Sequence, residues 1–417
     1  MEDFEALVKQ GCKPHVGDVL IAKDGNSALD TVCTVDHPLD AVLLSSVAIL
    51  RPDPKCLDSV FLKFYLSSPE TIDYLKSNFI SGAAIPRVVL RDFKRAEIRL
   101  PSLNIQKRIA AVLQSIDSKI ELNHRINQTL EAIAQAIFKS WFVDFDPVKA
   151  KIAAKQEGRD PMRAAMSAIT GKSDAELDAL PPEQYAQLAA TAALFPDEME
   201  ESELGEIPRG WACGSLGDIC SFTAGSAFKP EHQGSTEGDY PFIKVSDMNL
   251  AGNEVFIQSA NNYVSKAQQS EMKAKLHPLG ATVFAKIGVA LISNRRRLLT
   301  SPTIIDNNLM SASPVEGKSG QYFLYSLLST LDFNTLVSGT ALPYINVSDL
   351  KKIPIVRPPY DACHAFEAKA SSFFSMMQTL AAHSSTLAAT RDALLPKLLS
   401  GEIEASGIFE GLSLIHI

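Results

Sequence analysis

Between residues 105 and 137, the chain returns to one helix face at alternating steps of four and three. The positions are Ile105, Ile109, Val112, Ile116, Lys119, Asn123, Ile126, Leu130, Ile133 and Ile137. This is heptad spacing. A second run, Phe366, Phe373, Leu380, Leu387 and Leu394, holds one apolar position every seven residues. Its companion positions Lys369, His383 and Thr390 are polar or charged. The pattern predicts two helices of about 38 residues, each close to 60 Å long, sharing one thin seam. Trp141, Phe142 and Phe145 anchor the end of the first, and Asp146–Pro147 stops it.

The two runs superpose without a gap at an offset of 257, and the likeness extends upstream. "SGAAIPRVVLRDFKRAEIRLP" (81–101) matches "SGTALPYINVSDLKKIPIVRP" (338–358) at eight of 21 positions. "FLKFYLSS" (61–68) resembles "FLYSLLST" (323–330), a predicted helix in each copy. "GDVLIAKDG" (17–25) resembles "GATVFAKIG" (280–288), a predicted strand ending Ala-Lys-x-Gly. Long-range self-similarity of this kind marks a duplicated architecture. The expected fold is α+β, with two α/β units in pseudo-repeat separated by two long helices that form an antiparallel coiled coil. The boundaries read as 1–101, first unit; 102–143, first helix; 144–203, acidic Ala-rich connector; 204–358, second unit; 359–400, second helix; 401–417, tail.

Charge sharpens this picture. The 417 residues carry a net charge of −8. Residues 144–206 alone hold 14 acids and 6 bases, which accounts for the whole imbalance. The remaining chain is neutral overall and free to present basic faces. The six cysteines form no C-x-x-C pair and no zinc-finger spacing, and the N-terminus lacks the order of a signal peptide. A reduced, cytoplasmic protein with no membrane segment, metal or cofactor is expected.

Enzyme motifs fail on inspection. Gly317-Lys318-Ser319 and Gly171-Lys172-Ser173 resemble phosphate-loop endings, but the required earlier glycine is Ala312 in one and Met166 in the other. "RPPYD" (357–361) has Arg357 where an amino-methyltransferase needs an amide. Glu367-Ala-Lys369 reads as a solvated pair on a helix. No catalytic set emerges, and binding remains.

Residues 272–305 hold six bases and no acid: Lys273, Lys275, Lys286 and Arg295, Arg296, Arg297. Arg87, Arg91, Lys94, Arg95 and Arg99 crowd the turn after the first "SGAAIP". Lys23 and Lys286 fall at one place in the two copies, and Ser348-Asp349 reads as the cap of a short helix. Two basic units joined by paired rods suit a ligand with two separated sites along one axis, and duplex DNA fits. The candidate contacts are Lys23, Arg87, Arg91, Lys94, Lys244, Lys286, Arg295, Arg296, Arg297, Tyr344 and Asn346. Candidate docking positions on the long helices are Ile126, Ile133, Trp141, Phe142, Phe373 and Leu380. The other classes are a coiled-coil scaffold without DNA binding and a DNA methyltransferase.

"LPSLNIQKRIAAVLQSIDSKIELNHRINQTLEAIAQAIFKSWFVDFDPVKAK", "TAALFPDEMEESELGEIPRGW" and "LLPKLLSGEI" resemble the DNA-specificity subunit of Type I restriction-modification enzymes. The resemblance covers nearly the whole chain. It implies two target-recognition domains, each reading half of a bipartite site, with the long helices as spacer. It also implies a subunit without catalytic residues, partnered by two methyltransferase subunits and by motor-nuclease subunits. Two departures are expected. Met1 aligns with Val264 whereas the second unit opens near Leu204, so the first domain is read as lacking about 60 residues at its start. The terminal "GLSLIHI" is read as extraneous to the fold.

Overall fold

The computed structural model describes residues 2–25, 28–81, 87–339 and 343–403. The chain divides into two compact units, residues 1–123 with 383–417, and residues 124–382. Each unit therefore combines a globular part with a stretch of both long helices. Most of "SGAAIP", the centre of "SGTALP" and the whole of "GLSLIHI" lie outside the described residues.

The first unit opens with α1 (Glu2–Lys9), β1 (Val19–Ala22), β2 (Val32–Thr34) and β3 (Val47–Leu50). It continues through α2 (Ser59–Ser67), α3 (Pro69–Phe79), β4 (Ile80–Ser81), β5 (Arg87–Val88) and α4 (Leu90–Phe93) into α5 (Leu103–Phe142). β1 is the middle strand of an antiparallel sheet in the order β2-β1-β3. Asp58 starts α2 by accepting from the Phe61 amide, and Ser68 with Pro69 starts α3. α2 is apolar on two faces because it is covered twice. Leu62 and Leu66 pack on the sheet with Val19 and Ile21, while Phe61 and Phe64 meet Ile109, Val112 and Leu113 of α5.

After α5 come α6 (Asp146–Gln156), α7 (Pro161–Thr170), α8 (Asp174–Asp178) and α9 (Pro182–Ala193), then the hairpin of β6 (Met199–Ser202) and β7 (Gly205–Pro208). The acidic segment is thus a packed helical lobe. Met166, Ile169, Leu177 and Phe195 join one core with Trp141, Phe142 and Trp211. Helix ends are set locally: Asp160 caps α7, Gly171 ends it at φ +73°, and Ser173 with Glu176 boxes α8. Lys151 is buried and donates to the Phe195 carbonyl at 2.6 Å, and burial holds its ammonium below the usual lysine range.

The second unit holds β8 (Ala212–Ser215), β9 (Cys220–Ala224), β10 (Tyr240–Ile243), β11 (Phe256–Ile257), β12 (Tyr263–Val264), α10 (Lys266–Met272), β13 (Thr282–Ala285) and α11 (Val289–Ile292). β14 (Arg297–Leu299), β15 (Ile304–Ile305), β16 (Leu309–Pro314), α12 (Gln321–Thr330), α13 (Val347–Lys351), β17 (Pro354–Arg357) and the first part of α14 (Tyr360–Ser400) complete it. The sheets run β11-β14-β13-β16-β9 and β12-β10-β15, with β17 paired to β8. The duplication is visible strand by strand. Val19 pairs Thr34 and Leu50 across β1 as Thr282 pairs Leu298 and Ala312 across β13. β9 and β11, which flank the second copy, have no equivalent among the described residues of the first.

In each unit α5 and α14 run antiparallel. In the first, Asp117 pairs with Arg391 at 2.8 Å and Asn123 Nδ2 donates to Ser384 Oγ at 3.1 Å. In the second, Asn127 Nδ2 donates to the Met377 carbonyl at 3.1 Å and the rings of Phe138 and Phe366 lie 5.5 Å apart. The buried stripe keeps the heptad reading at Ile109, Val112, Ile116 and Asn123 of α5 and at Phe366 of α14, and departs from it further along each helix. On α5 it takes in Leu113 and passes to Ala134, Phe138 and Trp141. Ile105 and Lys119 are exposed, and Ile133 is 40% exposed. On α14, Phe374 and Ala381 are buried while Phe373 and Leu380 are half-buried. These positions advance at about 3.6 residues per turn, so a strict seven-residue count drifts off the stripe by about 20° per heptad.

Candidate nucleic-acid interface

Strand order in the second unit gathers several loops at one end of its sheets. β13 runs out at Ala285 opposite Leu309, the start of β16, and β14 begins there at Arg297. β10 and β15 end in parallel register, with the Asp306 amide donating to the Ile243 carbonyl. The loop after β9 joins them through the Ser226 amide and the Ile305 carbonyl. Here Gly225 lies against Asp306 so closely that a Cβ would fall 1.9 Å from the carbonyl oxygen, which requires glycine. The loops after β9, β10 and β13, the approach to β14 and the segment from Pro343 to Asn346 therefore share one edge.

Five of the sequence candidates fall on that edge with exposed or half-buried side chains. Lys244 is half-buried above the Phe228 ring, 5.1 Å from its centroid, with Nζ donating to Gln233 at 2.5 Å. Lys286 is half-buried at the end of β13. Arg295 is exposed and donates to the Asn249 side-chain oxygen. Tyr344 and Asn346 are exposed, and Asn346 Nδ2 donates to Asp349 Oδ2 at 3.0 Å.

Arg296 does not belong to the surface, whereas Arg297 is half-buried. Arg296 is 5% exposed and sits between Phe333 and Phe284, 3.8 and 5.5 Å from the ring centroids. It donates to the Asn294 side chain at 2.9 Å, and burial lowers its guanidinium to about 10. Arg297 donates to the carbonyls of Met248 and Arg296, and burial lowers it too. Successive side chains of an extended strand face opposite ways, so a run of three arginines entering β14 cannot all meet solvent.

In the first unit Lys23 is half-buried at the end of β1. Arg87 is exposed and pairs with Asp24 at 2.9 Å, and Arg91 and Lys94 are exposed too. This edge is built as its counterpart is. The Val88 amide donates to the Lys23 carbonyl at 2.8 Å, and the Ile345 amide donates to the Lys286 carbonyl at 3.0 Å. The bridge between Asp24 and Arg87 recurs between Ile287 and Tyr344.

Of the docking candidates, Trp141 (1% exposed) and Phe142 are core residues of the second unit. They cannot also serve as an outer surface. Ile126, Phe373 and Leu380 are half-buried, and Ile133 is exposed.

Several residues escaped the sequence reading. Glu131 of α5 accepts from the Tyr325 hydroxyl at 2.5 Å inside the second unit, and desolvation pushes its carboxyl up. Glu367 is no solvated partner of Lys369. It accepts from the Tyr322 and Phe323 amides at the start of α12, where Gly320 has no side chain to cap with. Gln106, fully buried, does the same for the first copy by accepting from the Asp58 amide at 2.9 Å. Only a polar residue interrupting an apolar helix face hints at such caps.

The family described as the Type I restriction modification DNA specificity domain matches this chain twice, over residues 9–132 and 208–369. The specificity subunit of the Type I restriction enzyme HindI from Haemophilus influenzae is 33% identical over 423 residues, covering 97% of this chain and 90% of that protein. The chain belongs to this family. The specificity subunit of the MjaIX enzyme from Methanocaldococcus jannaschii is 27% identical over 342 residues, covering 82% of this chain and 68% of that one. Among solved structures, the S subunit of a Type I restriction-modification system from M. genitalium aligns with 92% of this chain and 82% of its own. Its sequence identity is 15% and its TM-score 0.45. The two matched segments of the specificity family each take in one copy of the strand-and-helix repeat.

Proposed function

We propose that this chain is the DNA-recognition subunit of a Type I restriction-modification system, itself non-catalytic, and that it reads a bipartite duplex target with one half-site per unit. The observation that carries the reading is the repeated edge, where Lys23 with Val88 and Lys286 with Ile345 place matching loops in both copies. Family membership supports the same assignment. The contacts in this proposal are Lys244, Lys286, Arg295, Tyr344 and Asn346 in the second unit, and Lys23, Arg87, Arg91 and Lys94 in the first. The recognition domains in this reading span 1–101 and 204–358, with spacer helices at 102–143 and 359–400.

The partners are duplex DNA, two methyltransferase subunits on the outer faces of α5 and α14, and motor-nuclease subunits beyond them, in the cytoplasm. Among the described residues no helix is long and apolar enough to cross a membrane. Modification mapping in a host that carries this gene with its methyltransferase tests the proposal. The expected result is one recurrent target made of two separated half-sites. Modification that does not depend on this gene would overturn it.

A further inference from the structure

The short helix α11 is a fixed ledge that holds apolar side chains out in solvent. It enters through Gly288 at φ +78°, whose amide donates to the Pro343 carbonyl at 2.8 Å. It leaves through Asn294 at φ +53°, whose side chain donates to the Leu331 carbonyl and accepts from the Phe333 amide. With both ends tied, the ledge cannot fold its apolar groups away. Val289 is 81% exposed and Ile292 51% exposed. Behind Val289 lies a hollow of about 280 Å³, lined by Val245, Met248, Ala285 and Ala290 and rimmed by Asn249 and Arg295. The Arg295 guanidinium is held over this rim by its hydrogen bond to Asn249.

An apolar hollow beside a held guanidinium, in a stretch with six bases and no acid, matches the edge of a base pair in the major groove. Thymine there presents a C5-methyl group, and guanine presents two acceptors, N7 and O6, that an arginine takes together. Resting on the reading of this chain as a DNA-recognition subunit, we infer that the hollow beside Val289 receives a thymine methyl group and that Arg295 reads the adjoining guanine. α11 and Asn249 are then specificity-determining, roles distinct from the phosphate contacts that basic residues supply.

The test uses the complex of this chain with its methyltransferase and a duplex carrying the mapped target. Each thymine, on both strands, is replaced in turn by deoxyuridine, which removes only the methyl group. One position is expected to weaken binding about fourfold, the worth of one buried methyl-sized group. Val289→Ala, at an exposed site where folding is not at stake, is expected to abolish that sensitivity while leaving the rest of the scan unchanged. Tolerance of deoxyuridine at every thymine, or a sensitive thymine that ignores Val289→Ala, overturns the inference. A complex that fails to bind the mapped duplex at all overturns the DNA-recognition reading instead.

Discussion

The guanidinium of Arg296 lies 3.8 Å from the ring centroid of Phe333, on the side away from solvent. Its neighbour Arg295 is exposed. The two arginines should therefore fail in different ways when removed. Arg295→Ala should weaken binding to the mapped target by about 1–3 kcal/mol, relax the preference at the guanine it reads and leave the melting curve in place. Arg296→Ala removes a buried cation–π contact and a charged hydrogen bond, together about 3 kcal/mol. It should lower stability by that order and leave the base preference of the folded protein unaltered. Denaturant titration and binding to a series of single-base target variants separate the two. Equal loss of base preference would place both side chains on the DNA surface.

Docking of a methyltransferase on the helix pair should depend on Ile133 and not on Trp141. Ile133 is exposed on α5 beyond the buried stripe, whereas Trp141 is packed among Phe195 and Phe366. Ile133→Asp should reduce co-purification with the methyltransferase and keep the melting temperature. Trp141→Ala should cost about 3–5 kcal/mol of stability as a large core truncation. Its loss of partner binding should track unfolding. Undiminished co-purification of Ile133→Asp would move the docking face elsewhere.

The duplication, its strands at 19–22 and 282–285 and both long helices could be read from period and self-similarity alone. The phase of the helix contact was legible at Ile109, Val112, Ile116, Asn123 and Phe366 and lost further along each helix, where one residue of drift exchanges Ile133 for Ala134 and Phe373 for Phe374. The acidic lobe was hidden by its composition: charges on the outer faces of α6 to α9 mask the spacing of Met166, Ile169 and Leu177. At the candidate interface, lysines placed by the repeat were legible because their position is set by a strand end. The arginine run misled, since three equal charges say nothing about which alternate side chain faces inward. Val289 and Ile292 are apolar, and only the fold reveals them in solvent.

Asn123 and Ser384 form a polar contact within the buried stripe of the first unit, and Asn123 Oδ1 has no partner there. A polar pair at such a position fixes register at a cost in stability. Asn123→Leu with Ser384→Ala should therefore raise the denaturation midpoint. The freed register should show as broader modification patterns, with wrong spacing between half-sites tolerated more often. A double variant less stable than the parent would show that the pair is a net stabiliser.

Acid should loosen the second unit through His277. This side chain has no solvent exposure, its Nδ1 is 2.7 Å from Ser311 Oγ, and its Nε2 has no partner. Burial, aided by nearby Lys275, holds the imidazole down to about 4, against about 6.5 when unfolded. The unfolded chain thus binds a proton more readily than the folded one. The stability this contributes is fully present above pH 6.5 and is lost as pH falls toward 4. The loss is about 1.4 kcal/mol per pH unit in that window. By pH 5.5 the unit should be weaker by about that amount, read as faster hydrogen exchange at the paired amides of His277 and Thr303. His277→Gln, which cannot titrate, should be less stable at pH 8 yet lose less on going to pH 5.5. If both proteins lose stability in parallel over that window, the acid sensitivity belongs to other groups.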